Sequence, residues 1–267
     1  MFQAKLKEAT IFKKVIDAIK DLVTDANFLC TTDGIQMQAM DSGHVCLICL
    51  TLLAEGFTEY ECSEDFTLGL NVNTLSKILR CAENTDSITL TATPDGETLD
   101  ITFESPNGQR QSTFEVRRMD IDSEQIAIPE TEYQCSVRMP CSQFHKIVRD
   151  LSSLGETASM HVKSAVVTFG VTSETAGTAK LTLREDKTCR REEEQTLIDT
   201  DDSEREVKQA FALRYLSYFA KTTGISDQVG MFMRDGMPLY ITYDMGEVGS
   251  VGYYLAPKVT DGENDAD

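Results

Sequence analysis

At 267 residues, with 44 Asp and Glu against 25 Lys and Arg, the chain carries a formal charge of −19. The length suits two cores of ordinary size, and the charge argues at face value against a polyanionic partner. No apolar run approaches the ~20 residues of a membrane span and no basic-then-apolar leader opens the chain, so it reads as soluble and unsecreted. The eight cysteines, scattered through apolar segments, read as buried thiols in a reducing compartment.

In chain order, the periodicity first predicts an amphipathic helix over 9–22, with Phe12, Val15, Ile16 and Ile19 on one face and Lys13, Lys14, Asp17, Lys20 and Asp21 on the other. Strands are predicted over 27–30, 35–40 and 45–53, with Asp33-Gly34 as a tight turn, and again over 66–70. A short helix over 74–81 turns Leu75, Ile78 and Leu79 inward and Lys77 and Arg80 outward. Two hairpins come next. Ile88, Leu90 and Ala92 alternate with threonines up to Asp95-Gly96, then Leu99, Ile101 and Phe103 alternate with polar residues up to Asn107-Gly108, and Phe114 and Val116 lead onward.

Arg118 to Pro129 alternates Met119 and Ile121 with Asp120 and Asp122, then closes on Ile126, Ile128 and Pro129. It reads as a connector lying extended on a surface, or as an ordinary edge strand plus loop. Beyond it the order begins again. Phe12 to Ile19 overlays Phe144 to Leu151 at a constant separation of 132, and Ser76 to Arg80 overlays Ser217 to Lys221 at 141, within a helix over 212–221 that turns Leu213, Leu216 and Phe219 inward. Each half therefore contains two copies of one helix-plus-strands unit. The expected division is a domain over 1–117, a connector over 118–135, a second domain over 136–258 and an acidic tail over 259–267 that is expected to be disordered.

The charge average conceals a pattern. The four predicted helices (9–22, 74–81, 142–153, 212–221) hold nine Lys or Arg and three acids. With the chain at −19, the helices carry +6 and the remainder −25. Helix surfaces accept Lys and Arg readily, but they accept Glu as readily, and none of the four spans contains one. If the helices share one side, that side is a basic stripe suited to phosphate backbones without sequence preference.

Chemical motifs are scarce. There is no GxxxxGK[ST] and no GxGxxG, so nucleotide chemistry has no visible seat. Cys46 and Cys49 have CxxC spacing beside His44, but residues three apart in a strand face opposite ways and no second CxxC completes a metal site. Three histidines, none beside an evident nucleophile, leave little for acid/base catalysis, so no catalytic residue, metal or cofactor is expected. Asp199, Asp201 and Asp202 could hold a hard cation, as in a nuclease, but they sit in a polar run over 192–206 that reads as exposed loop with short strand flanks.

At Met40-Asp41-Ser42-Gly43-His44-Val45, Leu75-Ser76-Lys77-Ile78-Leu79-Arg80, Met119-Asp120-Ile121-Asp122, Phe211-Ala212-Leu213-Arg214-Tyr215-Leu216 and Tyr253-Tyr254-Leu255-Ala256-Pro257-Lys258, the sequence closely resembles the proliferating cell nuclear antigen family, the eukaryotic sliding clamps, nearly end to end. The resemblance implies an α+β DNA-clamp fold: two similar domains, each with two helices on antiparallel sheets, assembling as a homotrimer into a closed ring. It further implies a nuclear protein that encircles duplex DNA and is opened by a clamp loader. Such a ring tethers DNA polymerases, flap endonuclease, DNA ligase and other partners through a short peptide, the PIP box, of the form Gln, two residues, an aliphatic, two residues, two aromatics.

Carried onto this chain, the resemblance makes Lys13, Lys14, Lys20, Lys77 and Arg80 DNA-facing, together with Arg110, Lys146, Arg149, Arg214 and Lys221. It gathers Met40, His44, Val45, Leu47, Ile126 and Ile128 with Pro129, Pro238, Tyr254, Ala256 and Pro257 as the peptide pocket. Sheet edges near 109–117 and 175–183 should pair between subunits through Phe114 and Val116 against Lys180 and Leu181. Three positions depart from the family. Ser164 stands where the modifiable lysine is expected, with Lys163 one earlier; Arg118 stands where an apolar residue is common; the loop over 186–207 is long and carries Arg190-Arg191. The rival readings are a clamp-like subunit of a checkpoint heterotrimer and a metal-dependent DNA-processing enzyme.

Overall fold

The computed structural model describes residues 1–122, 126–129, 131–173, 177–200 and 206–258. Asp201, Asp202, Thr175 and the acidic tail therefore lie outside the described residues, as do Ser123, Glu124 and Gln125 of the connector. Two compact units divide the chain: residues 1–128 with 244–252, and residues 129–243 with 253–267. Among the described residues no helix is long and apolar enough to cross a membrane.

The first unit runs β1 (Phe2–Leu6), α1 (Thr10–Ile19), β2 (Asp25–Thr31), β3 (Gly34–Met40), β4 (Cys46–Leu53), β5 (Glu59–Cys62), β6 (Phe66–Asn71), α2 (Val72–Leu79), β7 (Ser87–Ala92), β8 (Thr98–Glu104) and β9 (Gln111–Arg117). One antiparallel sheet has the order β5-β1-β7-β8-β9 and leaves β9 as an edge. The other places β4-β3-β2-β6 side by side, and residues 249–252 flank β4. Alternating burial along β2, β7 and β8 gives each sheet one core face. Phe12, Val15, Ile16 and Ile19 of α1 are buried as the spacing predicts. In α2, however, Ile78 is half-buried, whereas Ser76 is 5% exposed and donates to Asp17 Oδ1 at 3.1 Å, stitching α2 to α1. The helix opens on Asn71, whose side chain accepts from Thr74 N at 2.8 Å. Close backbone approach decides one glycine of this unit: a Cβ on Gly249, at φ 131°, would lie 2.0 Å from the Thr51 carbonyl oxygen of β4.

The second unit runs β10 (Cys135–Pro140), α3 (Cys141–Ser152), β11 (Thr157–Lys163), β12 (Val166–Ser173), β13 (Gly177–Arg184), β14 (Leu197–Thr200), β15 (Glu206–Ala212), α4 (Leu213–Ala220), β16 (Gln228–Met233) and β17 (Leu239–Asp244). The last strand, β18 (Gly249–Leu255), gives its first four residues to the first unit and the rest to the second. One sheet has the order β13-β12-β11-β15; the other places β14-β10-β16-β17 side by side. Helices α3 and α4 repeat the earlier stitch, here as Ser152 Oγ to Ser217 Oγ at 3.0 Å. Leu213, Leu216 and Phe219 are buried, and Phe219 stacks on Tyr253 at 4.4 Å. The repeat read from the sequence is thus a repeat of architecture, two helices and two antiparallel sheets in each unit.

The connector begins within the first unit because its backbone is bonded there. Met119 N donates to Gly69 O at 2.8 Å on β6, Asn27 Nδ2 of β2 donates to Ile121 O at 2.8 Å, and Gln38 of β3 accepts from Ile126 N at 2.7 Å while donating to Ile126 O at 2.9 Å. The bonds of Met119, Ile121 and Ile126 thus fall on β6, β2 and β3 in sheet order. At its root, Arg118 donates to the carbonyls of Thr93, Pro94 and Gly96 at 3.1, 2.7 and 2.6 Å and of Thr67 at 2.8 Å, with Phe66 under its guanidinium. Arg118 is thus held by the turn between β7 and β8 together with β6.

Candidate functional site

The helix faces carry the cations. In the first unit Lys14, Lys77 and Arg80 are exposed; Lys13 Nζ donates to Ala82 O at 2.8 Å and Lys20 pairs with Asp17. Burial would raise the Asp17 carboxyl, but hydrogen bonds from Lys20 and Ser76 and the nearby Arg80 hold it below the usual carboxylate range. In the second unit Lys146, Arg149, Arg214 and Lys221 are exposed; Arg149 pairs with its neighbour Asp150 at 3.1 Å, and Arg214 lies over Tyr215 at 4.7 Å. Long, solvated side chains of this kind attract phosphates without fixing a register.

Arg110 is held differently from the helix cations. Its Nη2 reaches both carboxylate oxygens of Asp86 at 2.9 and 2.8 Å, and Asp86 is 1% exposed and also accepts from Glu83 N at 2.8 Å. Replacing Arg110 by alanine strands a buried carboxylate, so a loss of about 2–3 kcal/mol in urea unfolding is expected, against nearly none for Lys77→Ala. Equal midpoints for the two variants would contradict this.

The loop after β3 is built around Asp41, which is 6% exposed. Its Oδ1 accepts from Val45 N at 2.7 Å and Cys46 N at 2.6 Å, and its Oδ2 accepts from Gly43 N at 3.0 Å. This closed turn holds His44 at φ 53° and leaves it exposed, with Met40 and Val45 half-buried, while Leu47 is closed off at 7% exposure. Ile126 and Ile128, 38% and 39% exposed, are among the largest apolar groups that the first unit shows to solvent. In the second unit Pro238 and Pro129 are exposed and Tyr254, Ala256 and Pro257 half-buried. Sequence reasoning missed the aromatic row around Tyr254: Tyr240 stacks on it at 4.5 Å, and Phe232 and Tyr133 lie 5.7 and 6.2 Å from Tyr240. The cross-strand pair Phe232 and Tyr240 was the available signal.

A second feature was not read from the sequence. A cleft of about 1180 Å³ in the first unit runs under the connector, lined by Arg118 to Asp122 and Ile126 on one side and by Asn27, Gln38, Thr51 and Gly69 on the other. Of the residues assigned to the peptide pocket, it includes only Ile126.

The edges expected to pair between subunits are edges of their sheets, β9 in the first unit and β13 in the second. Phe114 is half-buried, lying 5.7 Å from Phe103, and Val116 is buried within its own unit; Lys180 is exposed and Leu181 half-buried. Cys46 and Cys49 lie three apart in β4, and burial pushes the Cys46 thiol far up and that of Cys49 up to about 11. Neither is a thiolate near neutral pH. Asp199 is exposed on β14, opposite Ser136.

These surfaces, basic helix faces over sheets with open edges, agree with the comparison to known families. The model for the proliferating cell nuclear antigen N-terminal domain matches residues 1–125, and that for its C-terminal domain matches residues 127–258. Two matched domains in tandem, with four helices and antiparallel sheets, place the chain in the proliferating cell nuclear antigen family of DNA sliding clamps.

Proposed function

We propose that this chain works as a homotrimeric ring around duplex DNA in the nucleus, where it keeps replication and repair proteins on their template. The observation that carries this reading is the concentration of exposed cations on α1 to α4 in a chain of charge −19. A ring needs no sequence readout and no tight grip; solvated Lys and Arg around the duplex retain it electrostatically and let it slide. Edge strands β9 and β13 supply the contact that closes a head-to-tail assembly. Partner proteins dock by PIP-box peptides, for which Met40, His44, Val45, Ile126 and Ile128 are the first unit's proposed contacts and Pro238, Tyr254, Ala256 and Pro257 the second's. Polymerases, the clamp loader, flap endonuclease and DNA ligase are the expected partner classes.

The test combines mass and retention. Light scattering should give three chains per particle, and a monomer would overturn the homotrimer. The variant Lys77→Ala, Arg80→Ala, Lys146→Ala, Arg149→Ala should keep that mass, yet lose roughly tenfold or more in retention on nicked circular DNA after loading, with a salt slope lower by about 3–4. Wild-type retention would remove DNA from the helix faces.

A further inference from the structure

The second unit carries a cation cluster that the helix faces do not account for. In the sheet β13-β12-β11-β15, one set of alternate residues is the more buried, fully in β11 and partly in β13, and the other set forms a grid on the opposite, outward face. Strand register fixes the rows. Lys180 aligns with Gly170, Ser159 and Ala210; Thr182 with Thr168, His161 and Lys208; Arg184 with Val166, Lys163 and Glu206. Among the described residues the outward face thus holds Lys163, Lys180, Arg184 and Lys208 against the single acid Glu206. Glu206 is spent on its neighbours, accepting from Lys163 at 3.3 Å and lying 3.1 Å from His161. Lys180, Arg184 and Lys208 are exposed and have no ion pair among the described residues. Three uncompensated cations on one face of so acidic a chain call for an anion.

The last described residue leads onto this face. Lys258 N donates to Ala210 O at 2.7 Å on the edge strand β15, and Lys258 Nζ donates to Thr157 Oγ1 at 2.6 Å on β11. Its side chain therefore passes β15 where the residues are small, Ala210 and Ala212. Beyond Lys258 the chain carries Asp261, Glu263, Asp265 and Asp267, acids at every second position. That is the period that puts four carboxylates on one side of an extended strand. Nine residues extended reach about 30 Å, and β13 lies three strand spacings, about 14 Å, from β15.

We propose that the outward face of the β13-β12-β11-β15 sheet is an anion-binding face whose occupant is the chain's own acidic C-terminal segment, residues 259–267. Occupied, the face does not compete with the helix cations for DNA phosphates, so DNA is left to the helices.

Carbodiimide joins carboxylates to amines only where they touch, so the experiment is zero-length cross-linking of the full chain, mapped by mass spectrometry on a mixture of isotopically light and heavy protein. The expected products link Asp261, Glu263, Asp265 or Asp267 to Lys208 and Lys180 within one chain; links to the adjacent Lys258 do not count. They should fall about tenfold at ~0.5 M salt, where screening shortens to about 4 Å, and equally in the exposed-site variant Arg184→Ser. A chain with the four acids changed to Asn or Gln, which alters nothing within the described fold, should gain affinity for a short single-stranded oligonucleotide probe. Links spread evenly over all exposed lysines, links only between light and heavy chains, or unchanged oligonucleotide affinity would each overturn the proposal.

Discussion

Asp41→Ala should destabilise the first unit by about 3 kcal/mol, because one buried carboxylate satisfies three backbone N–H groups of the same turn. The three bonds, to Gly43, Val45 and Cys46, are also what holds His44 in the left-handed region. Their loss should release His44 and Val45 together, and a PIP-box peptide that docks on them should bind roughly tenfold more weakly or worse, a change of about 1.4 kcal/mol or more. Asparagine separates charge from geometry. Its oxygen can still accept from Val45 and Cys46, but its amide would face the Gly43 N–H, donor against donor. The expected order of urea midpoints and of calorimetric peptide affinities is therefore wild type, then Asn, then Ala. An alanine variant with wild-type stability would show that the turn does not depend on Asp41.

A comparable loss is expected from a single methyl group on the other side of the same unit. A Cβ at position 69 would stand 2.1 Å from the Met119 carbonyl oxygen, a backbone atom that cannot swing aside. Gly69→Ala must therefore push the connector off β6 and break the Met119 N to Gly69 O bond. The expected cost is about 2–3 kcal/mol, with fast amide exchange at Met119, whose N–H loses its acceptor, while β7 to β9 stay protected. Gly96→Ala, at another residue lining the cleft, is the useful contrast, since the atom its Cβ would meet first belongs to a threonine side chain that can rotate. If exchange at Met119 is unchanged in Gly69→Ala, the connector is anchored elsewhere.

Local signals in the sequence carried most of the fold. Phe12, Val15, Ile16 and Ile19 mark one helical face at i, i+3, i+4 and i+7, and Leu99, Ile101 and Phe103 mark one strand face at every second residue; both patterns are what burial selects. What stayed illegible is pairing between distant polar groups. Arg110 reads as a free cation because nothing near it in sequence announces Asp86, and Ser76 reads as a surface residue because its partner Asp17 is on another helix. Arg118 is the clearest case. Its acceptors are carbonyls, which every residue possesses, so no side-chain pattern could have revealed that Thr67, Thr93, Pro94 and Gly96 converge on one guanidinium. The candidate surfaces divided in the same way: exposed helix cations and the apolar connector could be read directly, whereas the cleft beneath the connector depends on hydrogen bonds that three strands, β6, β2 and β3, make to it.

The strand shared between the two units bears on how the protein is made. The first unit includes residues 244–252, and Gly249 sits against the Thr51 carbonyl of β4 so closely that no side chain fits there. During synthesis the first 128 residues leave the ribosome long before that segment exists, so β4 remains an unpaired edge through translation of almost the entire second unit. The contact that completes the N-terminal unit spans nearly 200 positions of chain, the kind of closure that is slow to find and leaves strand edges open to wrong partners in the interval. Completion of the first unit in this sense waits on the second, although its sequence comes first, and a chain truncated before residue 249 lacks a strand of its N-terminal unit.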